Sequence, residues 1–169
     1  MGKKSIKPDK NMYFKIRADE LGLTREEAAE RMETISESRL ERIEYGNARI
    51  EPEDIIEMAR AYKYPELCNY YCSHECPIGK EYVPSVEMTS LSDIVLRMLS
   101  SIDTLEDVKK RLVEITSDGQ ISDDELPDFA KIQNYLEQLS ILVEALGLWV
   151  QKTASEGKIN ENKLNKLKQ

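Results

Sequence analysis

The three cysteines and the single histidine of this chain fall close together, in CNYYCSHEC, as Cys68, Cys72, His74 and Cys76. Cysteines four apart share one face of a helix, and three thiolates with an imidazole supply enough donors to close a tetrahedral zinc site. The spacing differs from the shorter pairs of compact zinc knuckles. A redox-responsive thiol pair is a further alternative, with His74 and Lys80 as the neighbours able to depress a thiol pKa. The preferred reading is that these are reduced cysteines acting as small apolar residues at a junction, so no cofactor is expected. Catalysis is not expected either. One histidine leaves no Ser/His/Asp or Cys/His relay to propose, no glycine-rich phosphate loop is present, and nothing marks any two carboxylates as a perturbed pair. The turn over residues 114–125 places Gly119 and Glu125 at the sixth and twelfth positions of a calcium loop, but Glu114 and Thr116 are poor first and third ligands. That turn reads as a helix connection, with Ser122 and Glu125 capping the helix that follows.

Charge carries the other candidate chemistry. The 169 residues hold 24 Lys/Arg and 32 Asp/Glu, a net charge of −8, which at first sight opposes any polyanionic partner. The excess is uneven: residues 1–66 hold 13 basic and 15 acidic side chains, and residues 67–169 hold 11 and 17. Within the first part, Lys3, Lys4, Lys7 and Lys10 form a basic arm, and Arg25, Arg39 and Arg42 recur among seven glutamates between Thr24 and Tyr45. At about 100° per residue, Glu37, Glu41 and Glu44 fall in one stripe of a helix and Arg39 with Arg42 in another.

The elements that must hold these residues are helical. Leu, Glu, Lys, Met and Ala dominate, only two Phe and one Trp are available, and no alternating Val/Ile/Thr run is present, so the chain is expected to be all-α. A helix over residues 11–21 stops at Gly22. Thr24 and Glu27 have capping-box spacing, and Ala28, Ala29 and Met32 give the next helix a small inner face. A third helix starts at Ser36, turns Leu40 and Ile43 inward and ends at Gly46. A fourth begins at Pro52 with Ile55, Ile56, Met58, Ala59 and Tyr62 on its apolar side. Two short helices joined by a turn, flanked by one helix on each side, make a helix-turn-helix.

Residues 21–65, LGLTREEAAERMETISESRLERIEYGNARIEPEDIIEMARAYKYP, also resemble the Cro/phage-repressor (XRE) helix-turn-helix family. The marks are Leu23-Thr24 opening the second helix, Glu26-Glu27 and Ala29 within it, Ser36 starting the recognition helix, Arg42-Ile43-Glu44 with Gly46 ending it, and Pro52 with Ala59 beyond. The departures are Arg25 where the family usually has Gln, Glu33-Thr34-Ile35 in a turn one residue longer than usual, and Glu41 at a position often held by a DNA-contacting Ser. The resemblance implies a lambda-repressor-like domain of four to five helices and a double-stranded DNA operator as partner. Ser36, Glu37, Ser38, Arg39 and Arg42 are then the candidate contacts of the recognition helix, with Arg25 on the DNA backbone. The expected role is a transcriptional regulator, a repressor, acting as a homodimer. The alternative is a helix-turn-helix that no longer binds DNA and serves as an interaction module for another regulator, for which the acidic stripe argues.

Residues 67–88, rich in Cys, Tyr and Pro, lack a helical or strand period and read as a linker between units 1–66 and 89–153. In the second unit, Ser90 and Asp93 suit a helix start. Apolar residues then recur at steps of three and four: Leu91, Val95, Met98, Ile102, Leu105, Val108, Leu112 and Ile115, and again from Phe129 through Ile132, Leu136, Leu139, Val143, Leu146 and Val150. Two such seams joined by a polar turn predict a long antiparallel helical hairpin for dimerisation or signal reception. A hairpin buries one stripe per helix, so the first unit or a second copy must cover what remains. Residues 154–169 form a polar tail expected to fray. No apolar run is long enough for a membrane span and the N-terminus lacks a signal-peptide centre, which places the expected location in the cytoplasm.

Overall fold

A computed structural model describes residues 11–167, and every regular element among them is a helix. α1 opens at Met12–Phe14 and continues as a π-helical stretch, Lys15–Glu20. Asn11 caps it: its side-chain oxygen accepts from the Phe14 N–H at 3.0 Å, and its amide donates to the Ile43 carbonyl at 2.8 Å. In the wide π turns, where the Leu21 N–H reaches back five residues to Ile16, Tyr13, Ile16 and Arg17 all turn inward. Gly22 then takes φ +64°, a left-handed conformation that stops the helix, as Gly46 does at φ +69° after α3.

The capping box at Thr24 forms as its spacing predicts. The Glu27 N–H donates to Thr24 Oγ1 at 3.2 Å, and the Thr24 N–H donates to the Glu27 carboxylate at 2.7 Å. α2 is nevertheless short, Arg25–Ala29, and its end tightens into i→i−3 bonds that bring Met32 down into the core. α3 (Glu37–Glu44) and α4 (Pro52–Tyr62) follow. A single core joins these helices, built from Tyr13, Ile16, Ala28, Leu40, Ile43, Ile55, Met58 and their neighbours. Leu40 and Met58 are fully buried, so truncating either to Ala costs roughly 2–5 kcal/mol.

The core does not end at residue 66. The stretch expected to lack a helical period contains α5 (Glu66–His74) and the short α6 (Gly79–Tyr82), and Leu67 and Tyr71 of α5 are buried in the N-terminal core. The period was hidden because Cys68, Cys72 and Tyr70 occupy half-buried positions that aliphatic residues usually mark. After α6 the chain runs extended to Ser90, pinned to α5 by Asn69, whose amide donates to the Pro84 carbonyl and whose oxygen accepts from the Val86 N–H, both at 3.0 Å.

α7 (Leu91–Ile115) and α8 (Leu126–Ser155) pack as the antiparallel hairpin that the seams predict. Ser90 caps α7 through the Asp93 N–H at 3.1 Å, and Glu125 closes on the Ser122 N–H at 2.9 Å before α8. Register is set by the Tyr135 hydroxyl on the Ser101 carbonyl at 2.6 Å and by Arg111 on Asp128 at 2.9 Å. The buried seam differs from the expected one. Ile94 and Ile115 of α7 pack inward with half-buried Met98, Val108 and Leu112, whereas Leu91, Val95 and Ile102 stay exposed, because the apolar stripe is wider than one partner helix covers. The C-terminal end of α8 meets the N-terminal unit: Lys152 pairs with Glu66 and lies 4.6 Å from the Tyr64 ring centre, and the Ser155 hydroxyl donates to the Lys63 carbonyl at 3.4 Å. Where a frayed tail was expected, a short helix α9 occupies Glu161–Leu167. No helix among the described residues is long and apolar enough to cross a membrane.

Candidate nucleic-acid interface

Two carboxylates fix the helix-turn-helix. Glu44, at the end of α3, has a fully buried side chain. It accepts from Arg17 of α1 through both oxygens, with Arg17 Nη2 at 2.8 Å from Oε2, and from Arg25 of α2 at 2.7 Å. Arg17 also donates to the Leu23 carbonyl. One carboxylate thus binds three helices. The second, Glu57 of α4, holds the turn between α2 and α3 by accepting from the Glu33 N–H, from the Thr34 N–H at 2.7 Å and from the Thr34 hydroxyl. Partial burial would push the Glu57 carboxyl up, but these donors outweigh it and hold the group below the ordinary Glu range. The turn between α2 and α3 is therefore a stapled one.

The candidate contacts are distributed as follows. Ser36 is the N-cap of α3, accepting from the Arg39 N–H at 3.3 Å, with its hydroxyl 3.2 Å from that of Ser38. Glu37 and Ser38 are exposed on the first turn. Arg39 is turned to α4 in a two-pronged bond with Asp54, Nε to Oδ1 at 3.0 Å. Burial works to raise the Asp54 carboxyl, but Arg39 and the Glu51 N–H, 2.9 Å away, hold it below its ordinary range. Arg25 is mostly covered, its guanidinium held by Glu44, 3.4 Å from Glu41 and 5.1 Å from the centre of the Tyr45 ring. Arg42 is exposed, and among the described residues no carboxylate pairs with it. The basic arm of Lys3, Lys4, Lys7 and Lys10 lies outside the described residues.

The outward surface of α3 therefore carries Glu37, Ser38, Glu41, Arg42 and Tyr45. The acidic stripe is thus divided, with Glu44 buried apart from Glu37 and Glu41, and so is the basic one, with Arg39 on Asp54 and Arg42 exposed. Glu44 belongs to the core, and the signal for it was present: it lies four residues after Leu40 and one after Ile43, on the inward stripe. Arg17 follows the same rule, four after Tyr13. Sequence reasoning missed both, along with Asp54 and Glu57, because charged residues are ordinarily assigned to water.

The cysteines fall outside this surface. Cys68, Cys72 and Cys76 are half-buried along α5 and its end, and Cys76 Sγ accepts from the Gly79 N–H at 3.4 Å. His74 is exposed and stacks on Tyr70, ring centres 4.6 Å apart. Burial pushes the Cys68 and Cys72 thiols up, and each is raised further by the next cysteine along. Among the described residues, no three His, Cys, Asp or Glu side chains stand close enough to hold a metal ion.

A family model described as Helix-turn-helix matches residues 14–67, about a third of the chain and the span from α1 to the start of α5. No curated protein and no solved structure matches the chain. Residues 14–67 thus form a helix-turn-helix domain of the Cro/phage-repressor (XRE) type.

Proposed function

We propose that this protein is a sequence-specific DNA-binding regulator of transcription, a repressor, which lays the outward face of α3 in the major groove of an operator and acts as a homodimer through the α7–α8 hairpin. The observation that carries the reading is the locked helix-turn-helix itself, in which Glu44 and Glu57 fix α2, the turn and α3 while Ser38 and Arg42 are exposed at the surface. Arg42 is suited to a guanine edge or a phosphate, and Ser38 to either. Two copies would read half-sites one helical turn of DNA apart, about 34–36 Å, or a multiple of it. The excess acidity of the second half of the chain would then face away from the duplex, and the location would be the cytoplasm.

Selection on random duplex DNA at two salt concentrations tests this. The expected result is an enriched half-site motif, and a decrease of about 0.9 in the salt slope for each phosphate contact removed. Arg42→Ala should weaken binding by roughly 1–3 kcal/mol if the side chain reads a base. A second reading is favoured by one observation: Arg25 and Arg39 already face carboxylates, leaving Glu37 and Glu41 on the exposed side of α3 with Arg42, the arginine of α3 that no carboxylate among the described residues pairs with. That surface suits an interaction module for another regulator. No enriched sequence together with no salt-dependent binding supports it over the first.

A further inference from the structure

The hairpin has two flanks of opposite character. With α7 and α8 antiparallel and in the register set by Tyr135–Ser101 and Arg111–Asp128, Val95 lies level with Val143, and Ile102 with Leu136. At 100° per residue these four project to the same side of the pair, together with Leu91 and Leu99. Val95 and Ile102 are seven apart, as are Leu136 and Val143, so the flank repeats with the heptad spacing of helices packed side by side. All six residues are 36–56% exposed. The other flank carries Arg97, Ser100, Thr104, Asn134 and Gln138, all exposed, with Ile141 as an exposed apolar residue among them. The N-terminal unit leaves this side exposed, its contacts with the hairpin through Lys152 and Ser155 lying beyond Val143 at the C-terminal end of α8.

We propose that the flank bearing Leu91, Val95, Leu99, Ile102, Leu136 and Val143 binds the same flank of a second copy of this chain, closing a four-helix bundle. The inference deepens the homodimer reading above and rests on it. Three features select a second copy as the occupant. The surface is self-complementary, two level apolar pairs one heptad apart, as a two-fold contact requires. Its extent, on the order of several hundred Å² of apolar area, lies at the upper end of what a monomer commonly exposes and would supply a large part of the roughly 800 Å² that each partner of a standard-size dimer buries. Finally, Glu106, Lys109 and Lys110 interrupt the stripe beyond Ile102, which confines the contact to the half of the hairpin next to the N-terminal unit. The two helix-turn-helix units are thereby held near one another, as adjacent half-sites demand.

The mass of the full chain, measured by light scattering without DNA over a roughly hundredfold dilution series, tests the interface independently of operator binding. The expected result is a dimer that becomes a monomer in Val95→Glu/Ile102→Glu and stays a dimer in Ser100→Glu/Gln138→Glu on the polar flank. If the paired glutamates also reduce helical circular dichroism, Leu99→Gln, a neutral change at an exposed position, carries the same comparison. A monomeric wild-type chain overturns the proposal, as does a dimer untouched by the flank variants. So does a dimer that dissociates only when exposed Ile78 and Tyr82 of α6 are replaced by Ser, which would place the contact there. Loss of DNA selection with the dimer intact leaves this interface standing and removes the operator reading instead.

Discussion

Replacing Glu44 by Gln tests the central claim that one buried carboxylate organises the helix-turn-helix. The Glu44 side chain is fully buried and that of Arg17 is 5% exposed, so the pair exchanges almost no contact with water. Removing one partner of such a pair typically costs about 3–5 kcal/mol, because a guanidinium is left in the core without its counter-charge. Gln preserves the shape and one acceptor oxygen, Arg17 keeps the Leu23 carbonyl, and Arg25 is open enough to turn to water. The lower figure, about 3 kcal/mol, is therefore expected, equivalent to a roughly hundredfold fall in the folding constant of the N-terminal unit. Native-state hydrogen exchange read peptide by peptide is the suitable assay, since the long hairpin dominates any bulk helical signal. Opening free energies should drop for peptides from α1, α3 and α4 and remain unchanged in the middle of α7. Arg17→Met/Glu44→Met should recover at least half of the loss, because an apolar pair of similar volume leaves no orphaned charge. A cost below about 1 kcal/mol for Glu44→Gln, or a double variant no better than the single one, would refute the reasoning.

Gly79→Ala should destabilise the α5–α6 junction by roughly 1–3 kcal/mol, since a Cβ there would lie 2.0 Å from the Cys72 carbonyl oxygen and backbone must move; urea unfolding monitored by tyrosine fluorescence measures it. Acid should weaken the N-terminal unit. Asp54 and Glu57 have depressed folded-state pKa values, so their contribution is complete above their unfolded values, about 3.9 and 4.3, and is lost as pH falls through the lower folded values. The melting temperature should hold from pH 7 to about 5 and then decline, with Asp54→Asn less stable at neutral pH and flatter in its acid response. Cys68 and Cys72, with raised thiol pKa values, should react with a disulfide reagent at pH 8 far more slowly in the native protein than in urea. Stoichiometric zinc in protein purified without an affinity tag would overturn the packing role of the cysteines.

Capping and punctuation were legible locally. Thr24 with Glu27, Ser36, Ser90 with Asp93, and the stops at Gly22 and Gly46 all lie where short-range geometry demands, because each involves partners at most a few residues apart; Ser122 and Glu125 do meet, but in the turn before α8, whose N-cap Glu125 makes no side-chain capping bond. α5 was not legible, because tyrosine and cysteine replaced the aliphatic residues that reveal a period. The candidate surface was legible only in part. Ser36, Ser38 and Arg42 are exposed, whereas Arg25 and Arg39 face carboxylates, and Asp54 lies 15 residues beyond the arginine it holds.

By itself the sequence determined the all-helical class, the helix-turn-helix with its resemblance, and the existence of a long hairpin, since each follows from periodicity and caps that act over one or two turns. Tertiary structure alone decided which charges leave the surface. Whether a glutamate is a solvated side chain or the anchor of three helices depends on guanidinium groups 19 and 27 residues away, which only packing brings to it. The same holds for the hairpin. Its apolar residues are plain in the sequence, but the division between the seam that closes α7 on α8 and the flank left open was fixed by the register of two helices, a relation between segments that no local pattern encodes.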